Sequence, residues 1–189
     1  MSNFYPNANL PMKTHNANKQ TSDSILLHPF APIFYHDSKI LILGSFPSII
    51  SREQNFYYSN PHNRFWQVLA RLFSCELQDK NREEKISFLQ MHKIALFDVC
   101  LECKITKSSD NTLKPIKTAP LESLIQNTQI RHIFFNGKKA AQIYQQAFKD
   151  SAILLLPHTA LPSTSPANAR WNLNQLCQDW SAILTPLCD

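Results

Sequence analysis

Residues 40–48 read Ile-Leu-Ile-Leu-Gly-Ser-Phe-Pro-Ser, an unbroken apolar run that stops at Gly44 and hands over to a polar loop. A strand with one wet face alternates polar and apolar side chains. A short continuous apolar run suits a strand covered on both faces, as in a parallel sheet. Working outward, Ile94-Ala-Leu-Phe97, Ile133-Phe-Phe135 and Ile153-Leu-Leu-Leu156 repeat the pattern. Between and after these runs the spacing turns helical. Phe65, Leu69, Leu72 and Phe73 share one face, and Ala140, Tyr144, Ala147 and Phe148 share another. Leu173, Leu176, Cys177, Trp180, Ile183 and Leu184 form a third stripe. Strands alternating with helices predict an α/β domain. In such a domain ligands gather where strands end at their carboxyl side.

Composition narrows the class. The chain has 189 residues, 43% of them hydrophobic, enough for one domain with a sizeable core. Lys and Arg exceed Asp and Glu by 19 − 14 = 5, a modest surplus that favours an anionic partner. No window is long and apolar enough to span a membrane, and the Asn-, Ser- and Thr-rich start has no signal-peptide core. A cytoplasmic protein with reduced thiols is expected. The five cysteines are an odd number, and Cys100-Leu-Glu-Cys103 lacks a second pair, so no disulfide framework or metal knuckle is expected. Residues 1–24 read as a poorly ordered tail and 25–189 as the domain. Only two glycines occur, Gly44 and Gly137. Both follow apolar runs, where positive φ or close backbone approach is needed.

The loops after the runs hold the polar candidates. Asn60-Pro-His-Asn63 and Ser165-Pro-Ala-Asn168 both resemble helix starts, with Asn60 and Ser165 as caps. Asn63 and Asn168 lie beyond the cap and are free to hold a water or a base edge. Ser163, Thr164 and Ser165, with Arg170 beyond, form a natural phosphate seat if a helix begins there. Asp98 ends the second run, with Glu102 and Asp110 loosely near it in sequence. Tyr57 and Tyr58 lie in a polar loop, where stacking on a base is one use for them. No P-loop, G-x-S-x-G or H-E-x-x-H motif is present.

Taken together, His28-Pro-Phe-Ala-Pro-Ile33, Gly44-Ser-Phe-Pro-Ser48, Phe56-Tyr-Tyr58, Pro61-His-Asn-Arg-Phe-Trp66 and Leu161-Pro-Ser-Thr-Ser-Pro-Ala-Asn168 resemble the uracil-DNA glycosylase superfamily, in its hypoxanthine-DNA glycosylase branch. The resemblance runs from about His28 to Trp180. It implies a three-layer α/β/α sandwich around a short central parallel sheet. It also implies removal of deaminated adenine from double-stranded DNA by base flipping and hydrolysis of the N-glycosidic bond, by a monomer, without metal, cofactor or iron–sulfur cluster. Asn63 is the implied catalytic residue, orienting water. The implied base pocket is Gly44, Ser45, Phe46, Pro47, Tyr57, Phe65, Asp98 and Asn136, with Asp98 accepting the N1–H that hypoxanthine has and adenine lacks. Ser48, Ser163, Thr164 and Ser165 are the implied phosphate contacts. The chain departs from the superfamily at Phe46, where an Asp or Asn is usual, and at Leu161, where many relatives have His or Asn. Other readings are a uracil- or mismatch-directed glycosylase and a non-catalytic DNA-binding module of the same fold.

Overall fold

The computed structural model describes residues 25–104 and 113–188; the tail 1–24 and Asp110 lie outside them. The central sheet has four parallel strands: β2 (Ile40–Gly44), β3 (Ile94–Asp98), β6 (His132–Asn136) and β7 (His158–Leu161), in the order β3-β2-β6-β7. Every residue of β2 and β3 is buried, as their unalternating sequences require. Register aligns Gly44 with Asp98 and Asn136 with Leu161, so the carboxyl ends of all four strands finish level. The chain leaves β2 for β3 on one side and returns to β6 on the other. The switch point is therefore beside Gly44, where an open α/β sheet leaves a crevice.

Helices flank this sheet. The helices α1 (Ile49–Glu53), α2 (Phe65–Leu72) and α3 (Arg82–Met91) lie between β2 and β3 in the chain, and α3 packs on β3. On the later half, α4 (Leu121–Ile125) precedes β6, and α5 (Lys138–Ala147) packs on β6 and β7. α6 (Leu173–Trp180) packs on α2 through the predicted stripe, with Leu176 and Trp180 wholly buried. The stripe continues through a 3₁₀ turn, Ser181–Ile183, into α7 (Thr185–Cys188). The predicted α/β architecture holds.

Three local expectations do not. Ile153–Leu156 is not a strand: Ala152–Leu155 is a 3₁₀ helix whose first turn is capped by Ser151, and Leu155 points into solvent, 86% exposed. The strand is the next segment, β7, which is only partly buried and so needs fewer apolar residues. Asn60 caps a turn and not a helix. Its Oδ1 accepts from His62 N at 2.9 Å, and α2 begins only at Phe65. Ser165 likewise closes a short turn onto Ala167 N. Helix α6 is instead capped by Asn172 and Gln175, each accepting the other's backbone N–H.

A second, antiparallel sheet went unpredicted: β1 (Ile25–Leu27), β4 (Cys100–Lys104) and β5 (Lys114–Thr118), in the order β1-β4-β5. β5 reads Lys-Pro-Ile-Lys-Thr and is almost wholly exposed, so it carries no apolar signature. β4 follows β3 after Val99 and contains both cysteines of the C-x-x-C spacing. Cys100 and Cys103 are fully buried. Burial pushes the Cys100 thiol up to about 12, so it stays protonated and serves as core.

Candidate active site

A cavity of about 110 Å³ opens at the switch point, between the ends of β2, β3 and β6. Gly44, Ser45, Phe46, Pro47 and Ser48 line it from the first loop, and Asp98 and Asn136 from the neighbouring strand ends. Asn63 and Tyr57 come from the segment before α2, and Ser163 and Ser165 from the loop after β7. The fold thus gathers most of the predicted site residues from positions far apart in sequence. Phe65 and Thr164 are exceptions. Phe65 is fully buried in the core, stacked on Tyr58 at 4.0 Å and edge-on to Trp180, and it does not line the cavity. Thr164 is fully buried as well, its hydroxyl engaged with other protein groups, so that hydroxyl is closed to a phosphate.

Asp98 sits where β3 ends, 4% exposed, and its Oδ2 meets His28 Nε2 at 3.0 Å. His28 is itself buried and ringed by Phe30, Phe46 and Phe97. The carboxylate's other oxygen occupies the space a side chain at position 44 would need: a Cβ on Gly44 would lie 2.1 Å from Asp98 Oδ1. Gly44 is therefore demanded by close approach. Gly137 is demanded by its φ of 100° and by Ser163, whose Cβ would be 3.0 Å from an added one. Both glycine expectations hold, each for its own reason.

The amide of Asn63 is held by two partners. Its Oδ1 accepts from Phe65 N at 3.0 Å and from Thr164 Oγ1 at 2.8 Å. The sequence reading left this side chain free of capping; in the fold it closes a turn onto Phe65, ahead of α2, whose N-cap is Arg64. Asn136 clasps the same threonine, its Oδ1 accepting from Thr164 N at 2.9 Å and its Nδ2 donating to Thr164 Oγ1 at 2.8 Å. The loop after β7 is further gathered by Arg64. Its guanidinium donates to the carbonyls of Ser165 at 2.8 Å and Asn168 at 3.2 Å, and also to that of Trp171. Its backbone N–H donates to Thr164 O at 3.1 Å. Trp180 Nε1 anchors the loop's start on Pro162 O at 2.9 Å.

Sequence reasoning missed His28 and Arg64 as site builders, and it named Tyr58 beside Tyr57 for base stacking without placing it in the base pocket. Tyr58 adopts a φ of 52°, which few non-glycine residues do, and its ring closes the cavity beside Gly44. Nothing in the tripeptide Phe56-Tyr-Tyr58 distinguishes it from Tyr57, whose hydroxyl instead donates to Ala31 O at 3.1 Å. Continuous with the cavity, a groove of about 810 Å³ shares Ser45, Asn136, Ser163 and Ser165 with it and adds Lys138, Lys139 and Arg170. Among the described residues no group of three or more His, Cys, Asp and Glu is placed to hold a metal ion. None of the helices there is long and apolar enough to cross a membrane.

Comparison with known proteins gives consistent results. The family model for the uracil DNA glycosylase superfamily matches residues 32–184. Over 155 residues the chain is 31% identical to the hypoxanthine DNA glycosylase of Methanosarcina acetivorans, covering 82% of this chain and 95% of that protein. It is also 31% identical over 116 residues to the hypoxanthine DNA glycosylase of Methanosarcina barkeri, covering 60% of this chain and 72% of that protein. Among solved structures, the solution NMR structure of a candidate uracil DNA glycosylase from Methanosarcina acetivorans superposes with a TM-score of 0.72. The identity is 30%, over 88% of this chain and all of that one.

Proposed function

The chain belongs to the uracil DNA glycosylase superfamily, and from that premise we propose that it removes hypoxanthine from double-stranded DNA, leaving an abasic site. Residues 25–189 act as one glycosylase domain, and the protein works as a monomer in the cytoplasm, on nucleoid DNA. The deaminated nucleotide swings out of the duplex into the cavity at the switch point. There Phe46 packs on the base, and the strand on either side of it follows the groove past Lys138, Lys139 and Arg170. Ser48, Ser163 and Ser165 meet the flanking phosphates.

The observation that carries this reading is Asp98. It is a buried carboxylate with one oxygen tied to His28 and the other beside Gly44, at the cavity. A carboxylate oxygen only accepts hydrogen bonds. Hypoxanthine offers it N1–H. Adenine presents a bare N1, whose lone pair would face another and leave that carboxylate oxygen without a donor. Guanine offers N1–H and an adjacent amino group, a pair suited to both oxygens of a carboxylate at once. With Oδ2 held by His28, only a single-point contact remains, so guanine's second donor finds no match.

The test is single-turnover cleavage of duplexes identical except for hypoxanthine, uracil or an undamaged base, with Asn63→Ala beside the wild type. Hypoxanthine cleavage that falls about 100-fold or more in the variant supports the assignment. Strong uracil cleavage in its place moves the chain to a neighbouring branch. Binding with no cleavage of any base leaves only a DNA-binding module.

A further inference from the structure

The hydrogen-bond polarity around Asn63 is fixed by two backbone N–H groups. Phe65 N can only donate, so the Asn63 atom 3.0 Å from it is the carbonyl oxygen. Thr164 N can only donate, so the Asn136 atom 2.9 Å from it is likewise oxygen. The Asn136 NH₂ must then donate to Thr164 Oγ1, 2.8 Å away. That hydroxyl has one proton to give, and Asn63 Oδ1 lies 2.8 Å from it. Both lone pairs of the Asn63 carbonyl are thereby spent inside the protein. What Asn63 has left to offer the cavity is Nδ2 with its two protons, which make no hydrogen bond among the described residues.

We propose that Asn63 works as a hydrogen-bond donor and not as an acceptor for a water proton, and that Asn136 and Thr164 are the positioning residues that set this polarity. The inference rests on the glycosylase reading. When the C1′–N9 bond breaks, its electron pair leaves with the base, and the charge spreads over the purine nitrogens. The N–H of Asn63 stabilises that charge, and the sugar is left as an oxocarbenium ion. Water then adds to C1′. Its surplus proton passes to solvent, and the base anion takes one up, so the products are free hypoxanthine and the abasic sugar. Asn63 gains and loses no proton. Asn136 lines the cavity, and its amide is engaged with Thr164.

Asn63→Asp and Thr164→Val decide the matter. An aspartate keeps the acceptor for Phe65 N and Thr164 but places a bare oxygen where the donors were. Single-turnover cleavage by Asn63→Asp is expected to be at least about 100-fold slower than wild type at pH 7.5, and to recover as pH is lowered toward the carboxyl range. A variant as fast as wild type, with a rate that climbs with pH, overturns the proposal. Thr164→Val keeps the shape and breaks the relay, whereas Thr164→Ser keeps the hydroxyl. Cleavage is expected to fall at least tenfold in the valine variant with DNA affinity within twofold, and the serine variant is expected to retain the wild-type rate. Equal rates in all three overturn the relay. If the wild type prefers uracil, the same comparisons on uracil duplexes decide the proposal. If it cleaves neither base, the functional reading fails on its own. The side-chain ¹⁵N–¹H resonances of Asn63 then decide the relay: a shift with valine and none with serine supports it, and no shift with either overturns it.

Discussion

Gly44 is small because Asp98 is where it is. A methyl group at position 44 would overlap Asp98 Oδ1 at 2.1 Å, so Gly44→Ala must turn the carboxylate out of its place. Overpacking of this kind costs about 1–3 kcal/mol of stability. The larger expected effect is on activity, a loss of hypoxanthine cleavage of about 100-fold in single-turnover assays while circular dichroism still reports a folded chain. Asp98→Ala probes the same point from the other side. It is expected to narrow the preference for hypoxanthine over adenine by about 10- to 100-fold, and full retention of discrimination would remove Asp98 from base reading. Asp98 was identifiable in the sequence as a polar residue ending an apolar run, and Asn63 as an amide beyond the cap and through the family resemblance. The polarity of Asn63 was not, because which end of an amide faces a ligand depends on neighbours 101 residues away, such as Thr164.

At the scale of elements, the loop after β7 behaves as part of α2. Arg64, just before that helix, donates to four backbone carbonyls of the loop, Thr164, Ser165, Asn168 and Trp171, through a planar fork that lysine cannot copy. Arg64→Met and Arg64→Lys are each expected to cost about 1–3 kcal/mol, measured by chemical denaturation, because part-buried carbonyls lose charged donors. Both should also weaken cleavage, since Ser163 and Ser165 lose their support. Element identity was legible where burial is symmetric, as in β2, β3 and β6. It failed where burial is partial: β7 is only partly buried, β5 is almost wholly exposed, and the apolar run Ile153–Leu156 was too short to separate a strand from a 3₁₀ turn.

For the whole molecule, charge and protonation set the working conditions. Lys138 and Lys139 border the groove next to the cavity. Replacing both with alanine is expected to lower the slope of log affinity against log salt by about two, equally for damaged and undamaged duplexes, as phosphate contacts carry no base information. Burial holds His92 below the usual imidazole range, as it does His132, which the neighbouring charge of His158 lowers further. The unfolded chain therefore takes up these protons first as pH falls through about 6.5, and stability declines with acidification. Melting temperature is expected to drop between pH 7.5 and 5.5, and the drop to shrink in a His92→Gln/His132→Gln double variant. By itself the sequence determined the α/β class, the parallel sheet, both special glycines and most of the residues that line the cavity. These follow from local periodicity and from punctuation at strand ends. Only the tertiary structure decided that Thr164 faces inward, that His28 occupies one oxygen of Asp98, and that Asn63 presents donors. Those outcomes rest on contacts between segments some 28 to 101 residues apart, which no local pattern encodes.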